Sequence, residues 1–417
     1  MITSNQSNKE AYVWIWLPDA TEPVVAGKLE YHEKFIHFNY GKSYLARSNA
    51  LSIYEPELPL QAGILPLLNG LEMPNSIRDG APDAWGRRVI INRTMGLKGA
   101  HTDTADLSEM TYLLESGSDR IGALDFQRSA TEYIPRMPHN ASLEELLESA
   151  QRVEQGKPLT PELDQALFHG SSIGGARPKA LIEDEHSKYI AKFSSSSDTY
   201  SVVKAEYIAM RLAHLCGLEV ATVKLVRASS KDIILVKRFD RYLKDTQWTR
   251  KSMVSALTLF GLTDMTARYA SYEALASMIR ERFTQPKKTL HELFSRLVFN
   301  ILCGNNDDHA RNHAAFWDGR ELSLTPAYDI CPQNRTGNES TQAMKIIGNN
   351  GFSQLKTCLE VAPHFLLSQA SAIEICDNIE TTIHEKWDTV CEEAELSEID
   401  KRFFWKRQFL NPFSIMR

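Results

Sequence analysis

What this 417-residue chain lacks narrows its reading quickly. It contains no C-x-x-C pair, and its 6 cysteines lie scattered through the second half at Cys216, Cys303, Cys331, Cys358, Cys376 and Cys391. A zinc centre or dithiol redox motif needs closely spaced thiols, so buried free thiols in a reducing compartment are expected. No run approaches the ~18 consecutive apolar residues of a membrane span. Met1 to Glu10 lack the apolar core of a secretory signal, so the chain reads as cytoplasmic with no membrane contact. Excess positive charge is missing too. The formal net charge of −6 removes the global electrostatic reason to bind nucleic acid directly.

What is present is ordinary for a globular protein of two or three domains, with 43% hydrophobic and 24% charged residues. Residues 11 to 60 read as strands. Tyr12 to Leu17 is β-branched and aromatic, and Lys34 to Tyr40 alternates as a half-buried strand does. Pro82 to Leu114 reads as helical, with Pro82 near a helix start, and Ile121 to Phe126 returns to strand. Prolines at 135 and 138 mark a linker, and Ser142-Leu143-Glu144-Glu145 forms a capping box into a helix. Lys179–Ile182 and Tyr189–Phe193 flank a polar turn and predict a hairpin. Ala205, Ile208, Ala209, Leu212 and Ala213 then recur at helical spacing up to Gly217, and Ile233–Val236 is a short buried strand. From Tyr272 onward the pattern is mostly helical, interrupted by polar segments around 305–350. The expected fold class is α+β, with a β-rich N-terminal part and a mostly helical C-terminal lobe. The expected boundaries are 1–140, 141–260 and 261–417.

The most informative stretch is Cys303-Gly304-Asn305-Asn306-Asp307-Asp308-His309-Ala310-Arg311-Asn312. Asp307 stands five residues before Asn312, and Asp329 follows in Pro326-Ala327-Tyr328-Asp329. Phosphoryl transfer from ATP uses such a set: a carboxylate for the attacking hydroxyl, then an amide oxygen and a second carboxylate for metal-bridged phosphates. Upstream, Gly170 to Lys179 has the adjacent glycines, Gly174 and Gly175, that let backbone N–H groups approach phosphate. It is no Walker A loop, because Ala176-Arg177 stands where Lys-Ser/Thr must be. Lys179 faces either phosphate or solvent. Lys192 ends an apolar strand, where a lysine usually snorkels. In a two-lobed phosphotransferase it would meet phosphates and pair with Glu206 on the next helix. Lys237 and Phe239 lie where the chain would cross between lobes, with Phe239 an adenine wall or a core residue. His309 either orients the aspartate or packs as a bonded histidine. Asp308 is expected to be exposed.

Together these segments resemble the HipA family of serine/threonine kinases, toxins of type II toxin–antitoxin systems. The matching stretches are Ser172-Ile173-Gly174-Gly175-Ala176-Arg177-Pro178-Lys179, Lys192, Arg238-Phe239-Asp240-Arg241, Asn306 to Asn312, and Pro326 to Pro332. Ile77 to Arg87 is similar to the family's P-D-x-W-G-R segment, and Ile121-Gly122-Ala123-Leu124 to its R-x-G-A-L strand. The resemblance implies a two-lobed protein-kinase-like fold that uses ATP and Mg²⁺. Asp307 would be the base, Asn312 and Asp329 the metal ligands, and Lys192 the phosphate lysine. Ser172, with Ser171 as its neighbour, would be the autophosphorylated serine. The ATP site would comprise Ser172, Ile173, Gly174, Gly175, Ala176, Lys179, Lys192, Lys237, Phe239 and His309. The implied partners are a HipB-like helix-turn-helix antitoxin, through which alone DNA would be met, and a protein substrate of the aminoacyl-tRNA synthetase class. The competing readings are a non-catalytic corepressor or scaffold, and a small-molecule phosphotransferase.

Overall fold

The computed structural model describes residues 8–417 except 69, 96–106, 138–140, 156, 158–159, 161–162, 164–171, 173–176, 196–197 and 336. The N-terminal part is a four-stranded antiparallel sheet of β1 (Glu10–Ile15), β2 (Val24–His32), β3 (Phe35–Tyr40) and β4 (Leu124–Gln127), in the order β3-β2-β1-β4. Alternation sends Val13, Ile15, Leu29 and Phe38 into one core with Ile77, Met110 and Leu113. Helices of seven residues or more are numbered from α1 (Ala84–Met95) and α2 (Glu109–Glu115), which fall in the stretch expected to be helical. The capping box at Ser142 and Glu145 forms with both of its bonds and opens α3 (Leu143–Glu154).

A second antiparallel sheet follows, of β5 (Lys179–Glu183), β6 (Lys188–Phe193), β7 (Val223–Ala228) and β8 (Lys231–Lys237), in the order β5-β6-β8-β7. The predicted hairpin is β5–β6, with Lys179 directly opposite Lys192. Its two faces have different fates. Ala180, Ala191, Phe193, Ile233 and Leu235 turn toward Trp85 and Val89 of α1 and Leu146 and Leu147 of α3. Ile234 and Val236 on the opposite face join the large core shared with α4 (Val202–Leu215).

A hairpin of β9 (Arg241–Lys244) and β10 (Gln247–Arg250) leads to a three-stranded sheet, β11 (Met253–Ser255), β12 (Ala314–Trp317) and β13 (Leu322–Leu324). The helices of this part are α5 (Tyr272–Arg282), α6 (Pro286–Cys303), α7 (Leu355–Val361), α8 (Gln369–Glu393) and α9 (Glu398–Phe404). β12 and β13, four and three residues long, fall within the 305–350 stretch where polar segments were expected to interrupt the helices, and are too short to show a period. Among the described residues no helix is long and apolar enough to cross a membrane. All the cysteines are free, and all but Cys216 are buried.

The N-terminal part is bolted to both lobes. Trp317 Nε1 donates to Ser52 O at 2.9 Å, Arg282 Nη2 to Tyr54 Oη at 2.8 Å, and Asn75 Nδ2 to Leu262 O at 2.8 Å. Buried Asp79 accepts from Ser255 Oγ at 2.8 Å and Thr258 Oγ1 at 2.7 Å. On the other side, Asp119 meets Arg238 at 3.0 Å and Lys188 at 2.8 Å, while Gly122 N donates to Asp240 Oδ2 at 2.8 Å.

Candidate active site

Helix α6 places the central loop. Its buried positions, among them Leu293, Leu297, Val298 and Ile301, hold it in the large core, and it stops at Gly304. Gly304 has φ of +75°, and a Cβ there would lie 2.7 Å from Gln408 O, so a side chain is excluded. The loop beyond is pinned by Asn305 Nδ2 to Asn300 Oδ1 at 3.0 Å, Asn306 Nδ2 to Ser340 Oγ at 2.8 Å, and Ala343 N to Asn306 O at 2.9 Å. Asn312 Nδ2 reaches back to Asp307 O at 3.3 Å and closes the turn between those two residues.

This loop, the segment around Asp329 and the uncovered face of the second sheet enclose a cleft of about 240 Å³. Lys179, Lys192, Phe239, His309, Asn312 and Asp329 all line it. Lys192 does not snorkel out. Its Nζ lies 2.5 Å from Glu206 Oε1 and 2.5 Å from Asp329 Oδ1, joining α4 to the C-terminal half through one ammonium. Lys192 holds the Asp329 carboxyl well below the usual carboxylate range. Burial disfavours the Lys192 charge, but Asp329 and Glu206 outweigh it and hold the ammonium above its ordinary pKa. The Asp329 side chain remains 46% exposed, and its backbone sits at φ of +58°, a conformation costly for a non-glycine residue. Lys179 faces this cleft rather than solvent, and burial together with the neighbouring Lys192 lowers it to about 8.

Asp307 stands at the exposed rim, outside the cleft wall. Partial loss of hydration raises its pKa, His309 opposes the rise and Asp329 adds to it. Asp308 corrects an expectation: it is buried, accepts from Tyr272 Oη, and pairs with His313 Nε2 at 2.9 Å. It is an anchor beneath the loop, which the polar run of sequence could not distinguish from an exposed neighbour. Phe239 is half-buried, with Tyr328 at 5.6 Å between ring centroids, and also lines the cleft; Lys237 is exposed beside it. Ser172 is buried, and its Oγ donates to Asp119 O at 3.2 Å. Ser171, Ile173, Gly174, Gly175 and Ala176 lie outside the described residues.

Sequence reasoning left out part of the wall. Arg311 lines the cleft and pairs with Asp264 at 2.6 Å, and Asp79, Asp83 and Ile121–Leu124 arrive from the N-terminal part. The segments 77–87 and 121–124 were visible as matches but carried no assigned role.

An oxygen-rich pair of one carboxylate and one amide is a hard donor set of the kind magnesium takes, the remainder being phosphate and water. Asp329 and Asn312 both line this cleft and would supply such a pair.

Residues 171–387, more than half of the chain, match the HipA-like C-terminal domain, and residues 15–127 match the HipA N-terminal domain. The chain belongs to the HipA family. Among related sequences, the Y4mE protein of Sinorhizobium fredii, described as a candidate kinase, is 27% identical over 323 residues, covering 71% of each chain. The serine/threonine-protein kinase toxin HipA of Shewanella oneidensis is 24% identical over 185 residues, 38% of this chain and 42% of that one. The HipA chain solved with HipB and operator DNA, also from Shewanella oneidensis, superposes with a TM-score of 0.67 at 19% identity, covering 94% and 93% of the two chains. The HipA-type α+β, two-lobed kinase-like fold is therefore shared.

Proposed function

We propose that this HipA-family protein is an ATP- and Mg²⁺-dependent serine/threonine protein kinase. The observation that carries the reading is the double pairing of Lys192 with Glu206 and Asp329 in the same cleft as Asn312. Glu206 fixes the lysine so that it can meet the α- and β-phosphates, and Asp329 and Asn312 would hold a magnesium ion, which would supply charge neutralisation at the phosphates. The hydroxyl oxygen of a substrate serine forms a bond to the γ-phosphorus while the bond to the β–γ bridging oxygen breaks. ADP leaves with that electron pair, and the hydroxyl proton passes to Asp307. A carboxyl with a raised pKa suits that role, because proton affinity closer to working pH makes a better base. The rim position of Asp307 leaves it open to a macromolecular hydroxyl, which favours a protein substrate. An aminoacyl-tRNA synthetase is the class the family suggests.

Ser172 is the proposed autophosphorylation site, with Ser171 as its neighbour. Its hydroxyl is held at Asp119 O inside the molecule, so modification requires it to leave that bond. The added charge of about −1.5 to −2 would then be repelled by phosphates bound in the cleft. A HipB-like antitoxin is the proposed partner, and it would supply the basic surface that an acidic chain lacks for DNA.

The test is the intact mass of wild type and Asp307→Asn after incubation with ATP and Mg²⁺. Wild type is expected to gain phosphate at Ser172 or Ser171, and Asp307→Asn to gain none. Equal phosphate on both proteins would remove Asp307 as the base. No nucleotide binding by wild type would favour a non-catalytic scaffold.

A further inference from the structure

The Ile77 to Arg87 segment is prominent in the sequence, yet the reaction outlined above uses none of it. Trp85 is completely buried and packs, with Val89, against Ala180 and Ala191 on the face of the second sheet turned away from the cleft. Its indole Nε1 donates to Lys179 O at 3.1 Å. The position of that carbonyl is informative. Carbonyls alternate in direction along a strand, and Pro178 O already accepts from Phe193 N at 3.0 Å across the hairpin. Lys179 O therefore points away from β6, at the outer edge of a strand that pairs, among the described residues, with β6 alone. On the opposite face the Lys179 side chain enters the cleft beside Lys192, its directly opposed partner. Like charges directly opposite one another repel, so the height of β5 at this residue sets how the cleft presents its second cation.

We propose that Trp85 is a positioning residue for the phosphate end of the cleft, acting through the backbone of Lys179. The inference rests on the kinase reading, since it gives the two lysines a phosphate to meet. The rest of the motif builds the bracket that carries the indole. Arg87 Nε donates to Pro82 O at 2.9 Å, and its two terminal nitrogens meet Glu109 at 2.7 Å each, which fixes the entry to α1. Asp83, between them in sequence, lines the same cleft. A core-filling role alone would need only the ring system, of which phenylalanine keeps the six-membered part. The N–H is what phenylalanine lacks.

Trp85→Phe, Lys179→Met and the double variant separate the two roles. MgATP affinity is read by calorimetry, and folding by thermal melting. Trp85→Phe is expected to weaken MgATP binding about five-fold, the scale of one lost neutral hydrogen bond, and to lower the melting temperature as well, because a smaller ring and an unmet buried carbonyl both cost stability. Lys179→Met is expected to weaken binding by itself, and adding Trp85→Phe to it to change nothing further. Unchanged affinity in Trp85→Phe, or the same further loss in the Lys179→Met background, overturns the proposal. Should Trp85→Phe fail to fold, ¹⁵N-labelled wild type gives the answer. The Trp85 indole resonance is expected to move on MgATP addition and to stay still in Lys179→Met; a resonance unmoved in wild type overturns the idea. Failure of wild type itself to bind MgATP would instead remove the kinase reading, and this inference with it.

Discussion

Strand β6 carries two lysines on one face with opposite fates. Lys188 is enclosed, with Asp119 at 2.8 Å, Glu183 at 2.9 Å and the Trp248 ring beneath it. Around Asp119 gather Arg238, Arg241 and Asp240, all buried, their remaining donors directed to the backbone carbonyls of Arg120 and Gly122. Four residues along, Lys192 also bridges two carboxylates, but one of them, Asp329, is half-open to the cleft, and Asp307 faces solvent nearby. Both clusters depart from ordinary pKa values, so perturbation alone does not tell a fastener from a site. Saturation does. In the first cluster the protein itself meets each charge, and in the second the charges keep capacity for something that is not protein.

That contrast can be broken by mutation. Asp240→Asn leaves Arg238 and Arg241 buried with one carboxylate fewer, and should cost about 3–5 kcal/mol of stability in urea unfolding. The folded fraction should still bind nucleotide normally; normal stability with lost binding would invert the comparison. Lys192→Met should cost roughly 3–4 kcal/mol of transition-state stabilisation in phosphoryl transfer, with a smaller effect on unfolding. Turnover within a few-fold of wild type would place Lys192 with the fasteners.

Acid should discriminate more gently. Burial opposes ionisation of Asp240, but Arg238 and Arg241 prevail and bring it from 3.8 to about 2. A carboxylate depressed in the folded state contributes stability that is complete above its unfolded value and fades as pH falls through the folded one. Wild type should therefore lose stability progressively from about pH 4 toward 2, and Asp240→Asn should show a shallower loss over that window. Parallel curves would mean the pair adds nothing there.

Much of this was legible beforehand, for identifiable reasons. The β5–β6 hairpin, the capping box at Ser142 and helix α4 follow from local periodicity and local hydrogen bonds, and all appear. The spacing of Asp307, Asn312 and Asp329 pointed to one loop pair; Asn312 and Asp329 line the cleft, while Asp307 stands outside its wall at the exposed rim. What stayed hidden depends on distant partners. Asp308 looked like a surface neighbour because His313 and Tyr272 are joined to it only by folding. The pairing of Lys192 with Glu206 could not be separated from a solvated alternative until α4 was laid against the sheet. Arg238 and Arg241 occupied a recognisable motif, yet their partner Asp119 lies more than a hundred residues away in the chain.

That separation also sets an order in time. Residues 119–122 are made early, but the residues they fasten to come about 118 positions later. At roughly 5–20 residues per second of synthesis the delay is on the order of ten seconds, during which the first sheet can be complete while Asp119 waits without its arginines. The contact between Ser52 and Trp317 spans 265 positions and closes later still. The cleft is assembled from both ends of this wait, so a nascent chain that stops short of Asp329 carries no finished cleft.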